Sequence, residues 1–225
     1  MYSMSEPIIR VENLVKKYDG RSAVLDGVTF GVDEQELVMV YGKSGCGKTT
    51  LLNILGGLDR PTSGEVYIDG VNISGLPEDD LARMRLQKVG FVFQDYNLLM
   101  DMTVRDNLRL PLKFSGHRDL GRVDELLKKF DIAHISHEPA NKISGGEAQR
   151  TAIARAMMNS PKIILADEPT GNLDAENTEN VIEMFSLVRR DFGTAIVLAT
   201  HDRDLAEHAT SRIFLIDGKA ILEEQ

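Results

Sequence analysis

The chain has 225 residues, of which 42% are hydrophobic, and a formal net charge of −9. This length supports one folded domain with a sizeable core, and no apolar run approaches the roughly 18–20 residues of a membrane-spanning helix. The acidic balance argues against nucleic-acid binding, and a single cysteine excludes internal disulfides and cysteine-based metal cages. Because residues 1–7 lack the basic and apolar regions of a signal peptide, we expect a cytoplasmic protein without a membrane span.

The N-terminal residues predict a pair of strands joined by a turn. Apolar residues recur over 8–15 and over 24–32 in the manner of β-strands. Tyr18 lies in the turn between them, where an exposed aromatic ring could stack on a nucleotide base. A turn tyrosine more often packs against a core, so both interpretations stay open at this point.

Residues 42–50, GKSGCGKTT, are the most informative stretch of the sequence. They follow an apolar strand at 37–41 and precede a helix, which is the order required for a phosphate-binding loop. Glycines allow the backbone N–H groups to point inward, and the helix N-terminus adds partial positive charge. We expect Lys48 to reach the β- and γ-phosphates of a nucleotide and Thr49 to bind Mg²⁺.

The middle of the chain changes from mixed structure to helices. A strand at 89–93 ends at Gln94, the position where α/β sheets place ligand-contacting groups. From about 95 to 160 the pattern predicts helices without strands, including a helix start at Thr103 with Asp106. We therefore expect one domain over 1–225, with a core lobe at about 1–94 and 161–225 and an inserted helical lobe at about 95–160.

Ser144 and Glu147 have the spacing of a capping box at the start of a helix. Gly145 and Gly146 between them are poor choices for helix stability alone. Their presence indicates that something approaches this backbone closely, and a helix N-terminus is a natural anion site.

Two further strands end in polar residues. The strand at 162–166 leads into Asp167 and Glu168, and the strand at 194–200 leads into His201. Acids after so apolar a strand are costly unless they contact a cation or water. Since the carboxyl ends of parallel strands converge, we expect these residues to share a site with Gln94 and the phosphate-binding loop.

Phosphoryl-transfer chemistry assigns roles to this set. Thr49 and Asp167 would hold Mg²⁺, the latter through water. Glu168 would accept a proton from the attacking water or orient it, and His201 and Gln94 would contact the γ-phosphate.

These motifs, in this order and over nearly the whole chain, resemble the ATP-binding subunit of ABC transporters. The resemblance implies an α/β P-loop NTPase fold, namely a RecA-like core with an antiparallel β subdomain and an inserted α-helical subdomain. It also implies ATP hydrolysis, with ATP and Mg²⁺ as cofactors. Tyr18 matches the adenine-stacking aromatic residue, Gln94 the Q-loop glutamine, Asp174 the D-loop aspartate and His201 the switch histidine.

Residue by residue, the resemblance implies three overlapping groups. The catalytic residues are Glu168, His201, Gln94 and Lys48. The metal ligands are Thr49, Gln94 and Asp167. The nucleotide-contacting residues are Tyr18, Gly42, Lys43, Ser44, Gly45, Cys46, Gly47, Lys48, Thr49, Thr50, Ser144, Gly145, Gly146, Glu147 and Asp174.

The family signature Leu-Ser-Gly-Gly-Gln is present with two departures, Ile143 for leucine and Glu147 for glutamine. Because two family subunits pair head to tail, the resemblance implies an ATP-dependent homodimer in which Ser144, Gly145 and Gly146 face the γ-phosphate held by the other subunit. We expect the two departures to tune this contact rather than abolish it.

The resemblance also implies an integral membrane permease as partner, with the chain peripheral on the inner face of the membrane. Residues 57–64 and 166–174 look most like the lipoprotein-releasing and macrolide- or peptide-export branch. We expect the permease near residues 94–112, where Tyr96, Leu98, Leu99, Met100 and Met102 supply apolar surface. The same residues could simply pack the helical lobe.

Three alternatives remain at this stage. A cell-division-type ATPase, which signals through a membrane partner, would have the same motifs. A P-loop kinase is disfavoured by the signature and by His201. A DNA-repair or translation ABC protein is disfavoured by the acidic charge, the single nucleotide unit and the absence of a long coiled-coil insertion.

Overall fold

The computed structural model describes residues 6–19, 22–116, 119–202 and 204–223. Residues 1–5, on which the expectation of no signal peptide mainly rests, lie outside these ranges. The strands are β1 (Ile9–Lys16), β2 (Leu25–Val32), β3 (Leu37–Tyr41), β4 (Ser63–Ile68), β5 (Val71–Asn72), β6 (Val89–Phe93), β7 (Ile163–Asp167), β8 (Ala195–Thr200), β9 (Ser211–Ile216) and β10 (Lys219–Glu223). The helices are α1 (Lys48–Leu55), α2 (Glu78–Lys88), α3 (Val104–Ser115), α4 (Leu120–Lys129), α5 (Gly145–Ala156) and α6 (Ala175–Phe192). Short 3₁₀ helices lie at Ala133–Ile135, Ala140–Lys142 and Asp204–His208.

A six-stranded sheet with the order β10-β9-β3-β8-β7-β6 forms the centre of the molecule. Strands β9, β3, β8, β7 and β6 run parallel, and only β10 pairs antiparallel, at one edge. The residues of β3 and β8 are all buried. This explains their unbroken apolar runs, because helices or a second sheet cover both faces of a parallel sheet.

A second, four-stranded antiparallel sheet has the order β2-β1-β4-β5. Its apolar side packs with α1 and one face of the central sheet in a single hydrophobic cluster that includes Val11, Leu51 and Val197. The helix α1, with the loop before it, is thereby fixed between the two sheets.

The segment between β6 and β7 folds as helices, and Thr103 caps α3 by accepting a hydrogen bond from the Asp106 N–H group. This segment packs on the opposite face of the central sheet. Ile153 and Met157 lie in the same hydrophobic cluster as Ile164 and Ile196 of the sheet. The predicted α/β fold with an antiparallel sheet and a helical insertion is confirmed.

Among the described residues, no helix is both long enough and apolar enough to cross a membrane.

Candidate nucleotide-binding site

The strand registers place the candidate residues at one edge of the central sheet. Tyr41, the last residue of β3, is level with Thr200, the last of β8. Asp167 at the end of β7 is level with Ala199 on one side and with Phe93 at the end of β6 on the other. The four segments that follow these strands therefore leave the sheet side by side.

A cavity of about 430 Å³ lies at this edge. It brings together residues from five parts of the chain: Val24, Ser44, Gly45, Gly47, Lys48, Thr49, Thr50, Gln94, Glu168, Gly171 and His201. The volume falls within the range of small-molecule sites.

The loop before α1 owes its shape to glycines. Gly45 and Gly47 have φ angles of 78° and 107°, in the left-handed region that favours glycine. A Cβ atom on Gly42 would lie 2.4 Å from the carbonyl oxygen of Leu215, so only glycine fits there. Gly47 is the N-cap of α1 and no side chain caps this helix. Its first N–H groups are available to an anion in the cavity.

Lys48, Glu168 and His201 form a charged cluster in the cavity. Lys48 is only 7% exposed, and its Nζ donates to the Gly42 carbonyl at 2.9 Å and lies 3.6 Å from Glu168 Oε1. The other carboxylate oxygen, Oε2, lies 2.8 Å from His201 Nδ1 and accepts from the His201 backbone N–H at 3.3 Å. Glu168 is thus fixed between the lysine of the phosphate-binding loop and a histidine from the next strand.

The backbone of Glu168 is itself strained, with φ of 47°. Its N–H donates to the Ala199 carbonyl at 2.9 Å, which continues the pairing of β7 with β8 by one residue. Strained residues of this kind cluster at functional sites. The turn aims the carboxylate into the cavity instead of letting it follow the strand.

Asp167 has the character of a metal ligand. Burial raises its pKa, as does the neighbouring Glu168, while the Thr49 hydroxyl and Lys48 oppose this rise. Its Oδ1 atom is buried without a hydrogen-bond partner among the described residues. An orphaned carboxylate oxygen beside a threonine hydroxyl fits Mg²⁺, which prefers oxygen ligands and keeps phosphate and water in the rest of its coordination sphere.

Among the described residues, this site included, no group of three or more His, Cys, Asp or Glu residues could hold a metal by itself. Bound beside Asp167 and Thr49, Mg²⁺ would neutralise charge on the phosphate oxygens.

Gln94 is held at the cavity by Asn172. Its Nε2 lies 3.4 Å from Asn172 Oδ1, and Asn172 Nδ2 donates back to the Gln94 carbonyl at 3.2 Å. A Cβ atom on Gly171 would come within 3.1 Å of Gln94 Nε2. The turn after Glu168 therefore positions the glutamine.

The start of α5 lies outside this cavity. Ser144 Oγ accepts from the Glu147 N–H at 3.3 Å, and Glu147 Oε2 accepts from the Ser144 N–H at 2.8 Å and from its Oγ at 2.7 Å. These bonds lower the pKa of Glu147, the backbone bond most strongly. The predicted capping box is confirmed.

The start of α5 also touches the start of α6. A Cβ atom on Gly146 would lie 2.4 Å from Asn177 Oδ1. Asn177 donates from both its backbone N–H and its Nδ2 to Asp174 Oδ1, each at 2.9 Å, and Asp174 is the N-cap of α6. Gly146 thus leaves room for the side chain that orients the Asp174 cap.

Comparison with known proteins identifies the family. Residues 25–171 match the ABC transporter family. This chain belongs to the ABC transporter family. As a member it is an ATPase, and its cofactors are ATP and Mg²⁺.

Solved structures of ABC cassettes agree in fold over nearly the full length. A dimeric post-hydrolysis state of the cassette MJ0796, bound to ADP and Pi, is 37% identical with a TM-score of 0.86, covering 96% of this chain and 98% of that one. A second dimeric structure of MJ0796, described as a bacterial ABC transporter cassette, is 38% identical with the same TM-score and coverage. CbiO1 from Clostridium perfringens, part of the ABC transporter complex cbiONQ, is 26% identical with a TM-score of 0.88, covering 97% and 88%.

Not every residue expected to contact the nucleotide lines the cassette's cavity. Tyr18 is not among the described residues that line the cavity. Its hydroxyl donates to Asp59 Oδ2 at 2.8 Å, and Lys16 Nζ lies 4.6 Å from the centre of its ring. Gly42, Lys43 and Cys46 are likewise outside the lining. Gly42 instead supplies a carbonyl to Lys48, and Cys46 packs against the core under the loop.

Sequence reasoning missed three residues of this site, among them Gly171, which lines the cavity beside Gln94. Val24 lines the cavity from the segment before β2, and an isolated valine there carries no signal. Asn172 holds Gln94, and its place in a turn of ordinary composition gave no hint of that bond.

The apolar segment expected to meet a permease is divided between two environments. Leu98 is buried in a small cluster with Ala148 and Ala152, so it packs the helical lobe. Leu99 and Met100 are about half exposed, at 49% and 46%. A groove of about 700 Å³ lies between α2, β6, α3 and α5, and its described lining residues include only Leu110 and Pro111 from the segment expected from sequence.

Proposed function

We propose that this chain is the motor subunit of an ABC transporter, and that two copies close head to tail around two ATP molecules to drive a separate membrane permease. The observation that carries the proposal is the cluster in which Lys48 and His201 hold Glu168 at the phosphate-binding cavity. A carboxylate held at this position is suited to orienting water, and it becomes a better base once Lys48 is drawn away from it.

The cis half of the site binds the nucleotide. The uncapped N-terminus of α1 and Lys48 would receive the phosphates. Thr49 and Asp167 would hold Mg²⁺, and Gln94, which lines the cavity, would contact the γ-phosphate. When phosphates enter, they compete with Glu168 for Lys48. This releases the carboxylate to act on water.

The other half of the site comes from a second copy. Ser144, Gly145 and Gly146 lie outside the cavity of their own subunit, which supports a role in trans. The similar cassette MJ0796 is dimeric in both of its structures. Binding of ATP between two copies would shift the population toward the closed dimer, and hydrolysis would release it.

The groove beside β6 is the surface we assign to the permease. It is lined mainly by apolar residues, among them Leu58, Phe91 and Phe114, and the last is 77% exposed. The similar protein CbiO1 is part of a transporter complex. A permease bound in this groove would place the chain peripherally on the cytoplasmic face of the membrane.

The branch of the family and the class of substrate follow from resemblance. Residues 57–64 and 166–174 favour the lipoprotein-releasing and macrolide- or peptide-export branch. We therefore propose export or extraction of a lipophilic or peptide-like substrate, and purification of the chain with its membrane partner is the direct test.

The motor mechanism is tested with Glu168→Gln. This variant should bind ATP with near wild-type affinity, accumulate as a dimer on a sizing column with Mg²⁺-ATP, and lose about 10²-fold or more of the phosphate-release rate, the range for general base catalysis. The control is Glu125→Gln, since Glu125 pairs with Arg122 on the surface of α4. Near wild-type turnover by Glu168→Gln would show that another group activates the water.

A further inference from the structure

Tyr18 is held by two charged side chains although it lies outside the lining of the ATP cavity. Its hydroxyl donates to Asp59 Oδ2 at 2.8 Å, and Lys16 Nζ lies 4.6 Å from the centre of its ring. An ammonium group at this distance is attracted by the electrons of the ring. The residue is still 41% exposed, so part of the ring is open to another planar group.

Asp59 joins these contacts into one cluster. Its other carboxylate oxygen, Oδ1, lies 2.6 Å from Lys16 Nζ and accepts from the Arg60 backbone N–H at 2.7 Å. Lys16 is only 8% exposed, and its Nζ also donates to the Arg60 carbonyl at 2.8 Å. Partial burial would raise the pKa of Asp59, but these hydrogen bonds, with the one from the Tyr18 hydroxyl, outweigh it and hold the pKa below its ordinary value. The ionised carboxylate thus fixes Lys16 with one oxygen and Tyr18 with the other.

The turn that carries Tyr18 is anchored to the phosphate-binding loop. Val24, which lines the ATP cavity, donates its backbone N–H to the Lys16 carbonyl at 2.8 Å. A Cβ atom on Gly47 would lie 3.0 Å from the Val24 carbonyl oxygen. Because Tyr18 follows Lys16 by two residues, its ring is carried close to the edge of the cavity.

Asp59 is itself held by helix α1. The Asn53 carbonyl in this helix accepts from the backbone N–H groups of Leu58 at 2.8 Å and of Asp59 at 3.1 Å. The N-terminus of the same helix, at Gly47, lines the cavity. One short helix therefore connects the phosphate-binding loop with the carboxylate that holds Tyr18.

We propose that Asp59 and Lys16 are positioning residues for the base of the nucleotide, and that they hold the Tyr18 ring in the orientation in which it stacks on that base. Both would act through Tyr18 rather than by contact with the nucleotide. The inference rests on the proposed binding of the phosphates at α1. A ring that is fixed before ATP arrives needs no further ordering, so a loop outside the cavity contributes to ATP affinity.

The test compares two ligands of the full chain, Mg²⁺-ATP and Mg²⁺-tripolyphosphate, which has the phosphates without ribose or base. Calorimetry gives both affinities for the wild type and Asp59→Asn. The variant should bind ATP about fivefold more weakly, which is the lower limit for loss of stacking between a base and an aromatic ring. Its affinity for tripolyphosphate should stay within about twofold. The KM for ATP should rise with kcat unchanged, because saturating ATP restores the occupied site.

Tyr18→Phe is the second variant, because Asp59→Asn also breaks the pair with buried Lys16 and could loosen the loop. It keeps the ring and the Lys16–Asp59 pair, and it removes only the hydroxyl that anchors the ring. It should weaken ATP binding by about twofold or more and leave tripolyphosphate binding unchanged. Asp59→Asn should add little further loss of ATP affinity in this background, since both changes break the same bond.

The antiparallel sheet supplies a matched control. There the Tyr67 hydroxyl donates to Glu65 at 2.7 Å, and the Arg10 guanidinium lies 3.7 Å from the centre of the Tyr67 ring. None of these three residues is among the described residues that line the cavity. Glu65→Gln removes the same charge and the same kind of bond, and it should leave both affinities unchanged.

Two results would overturn the inference. One is an equal loss of affinity for ATP and tripolyphosphate in Asp59→Asn, and the other is unchanged ATP affinity in Tyr18→Phe. ATP-dependent dimerisation of Glu168→Gln would stand in either case. Failure of Glu168→Gln to dimerise would instead count against the proposed function, so the two failures are distinguishable.

Discussion

Two helices of this protein begin in glycine-rich turns, and they are prepared for anions in different ways. Helix α1 starts after Gly47, with φ of 107°, no capping side chain and no acidic residue in its first turn. Helix α5 starts after Ser144, whose hydroxyl and backbone are bound by Glu147 in a capping box. The first N-terminus has unused donors, while the second already carries a carboxylate of its own.

In the proposed head-to-tail dimer, this difference predicts which half of the site binds ATP first. Since the donors of α1 have no competing cap, they can accept phosphates within a single subunit. The first turn of α5 is self-satisfied and carries negative charge, so it has little attraction for ATP alone. In the proposed head-to-tail dimer, it would act only after the other copy holds a nucleotide together with Mg²⁺.

The largest expected effect is the difference in ATP affinity between Lys48→Ala and Ser144→Ala. Lys48→Ala removes a charged donor from the cis half and should weaken ATP binding to the single subunit by tenfold or more, at about 1.5–3 kcal/mol for such a bond. Ser144→Ala should leave that affinity within about twofold and should lower the rate of phosphate release instead. It should also lower the free energy of unfolding by about 1 kcal/mol, because the helix loses its N-cap. Calorimetry at low protein concentration and a phosphate assay separate the two. A large loss of monomer affinity in Ser144→Ala would place the serine in the cis half.

A smaller effect is expected from Gly146→Ala. Its Cβ atom would lie 2.4 Å from Asn177 Oδ1, and overpacking of this kind costs about 1–3 kcal/mol. Asn177→Ala should recover part of the free energy of unfolding in the double variant, since it removes the clashing group. Gly75→Ala is the matched control, because nothing lies within 4 Å of its Cβ position.

Chemical denaturation of the wild type, Gly146→Ala, Asn177→Ala and the double variant gives the coupling free energy between the two positions. Additive changes in the free energy of unfolding would mean that Gly146 and Asn177 do not interact energetically. The glycine would then be needed only for approach of the nucleotide. A favourable coupling would mean that it is also needed for packing on α6 within its own subunit.

The smallest effect concerns the pH dependence of the α5 cap. Because hydrogen bonds from Ser144 hold the pKa of Glu147 below its ordinary 4.5, the ionised side chain stabilises the fold above that pH. This contribution, about 0.3–1 kcal/mol for a charge at a helix N-terminus, is lost as the pH falls through the lowered pKa. Glu147→Gln keeps a capping geometry but has no charge to lose. The difference in stability between wild type and Glu147→Gln should therefore shrink between neutral pH and about pH 3, and a constant difference would contradict the assignment.

The same contrast explains which features the sequence could predict. The loop before α1 was recognisable because its function resides in adjacent residues, whose glycine spacing and flanking apolar runs are visible in one dimension. The capping box of Ser144 and Glu147 is equally local. The helix after the loop and the capping box were both confirmed at the predicted positions, and phosphate binding by the loop residues stays a prediction.

Contacts between distant segments were out of reach. Asn172 bonds to Gln94, which lies 78 positions away, and Arg155 reaches the Tyr96 carbonyl across 59 positions. Nothing in the local composition of either residue distinguishes it from an ordinary turn or helix residue. The exposure of the residues in the expected docking segment at 94–112 was also not predictable, because helix packing buries Leu98 while Leu99 and Met100 stay about half exposed.

By itself the sequence determined the chemical groups of this ATPase and the strand ends that carry them, because apolar runs and glycine spacing act over a few residues. Only the tertiary structure decided how those groups meet. The parallel register of β3, β8, β7 and β6 brings Lys48, Glu168 and His201 into contact. These contacts join residues that are far apart in the sequence. They depend on how both faces of the central sheet are buried, and no single segment determines them.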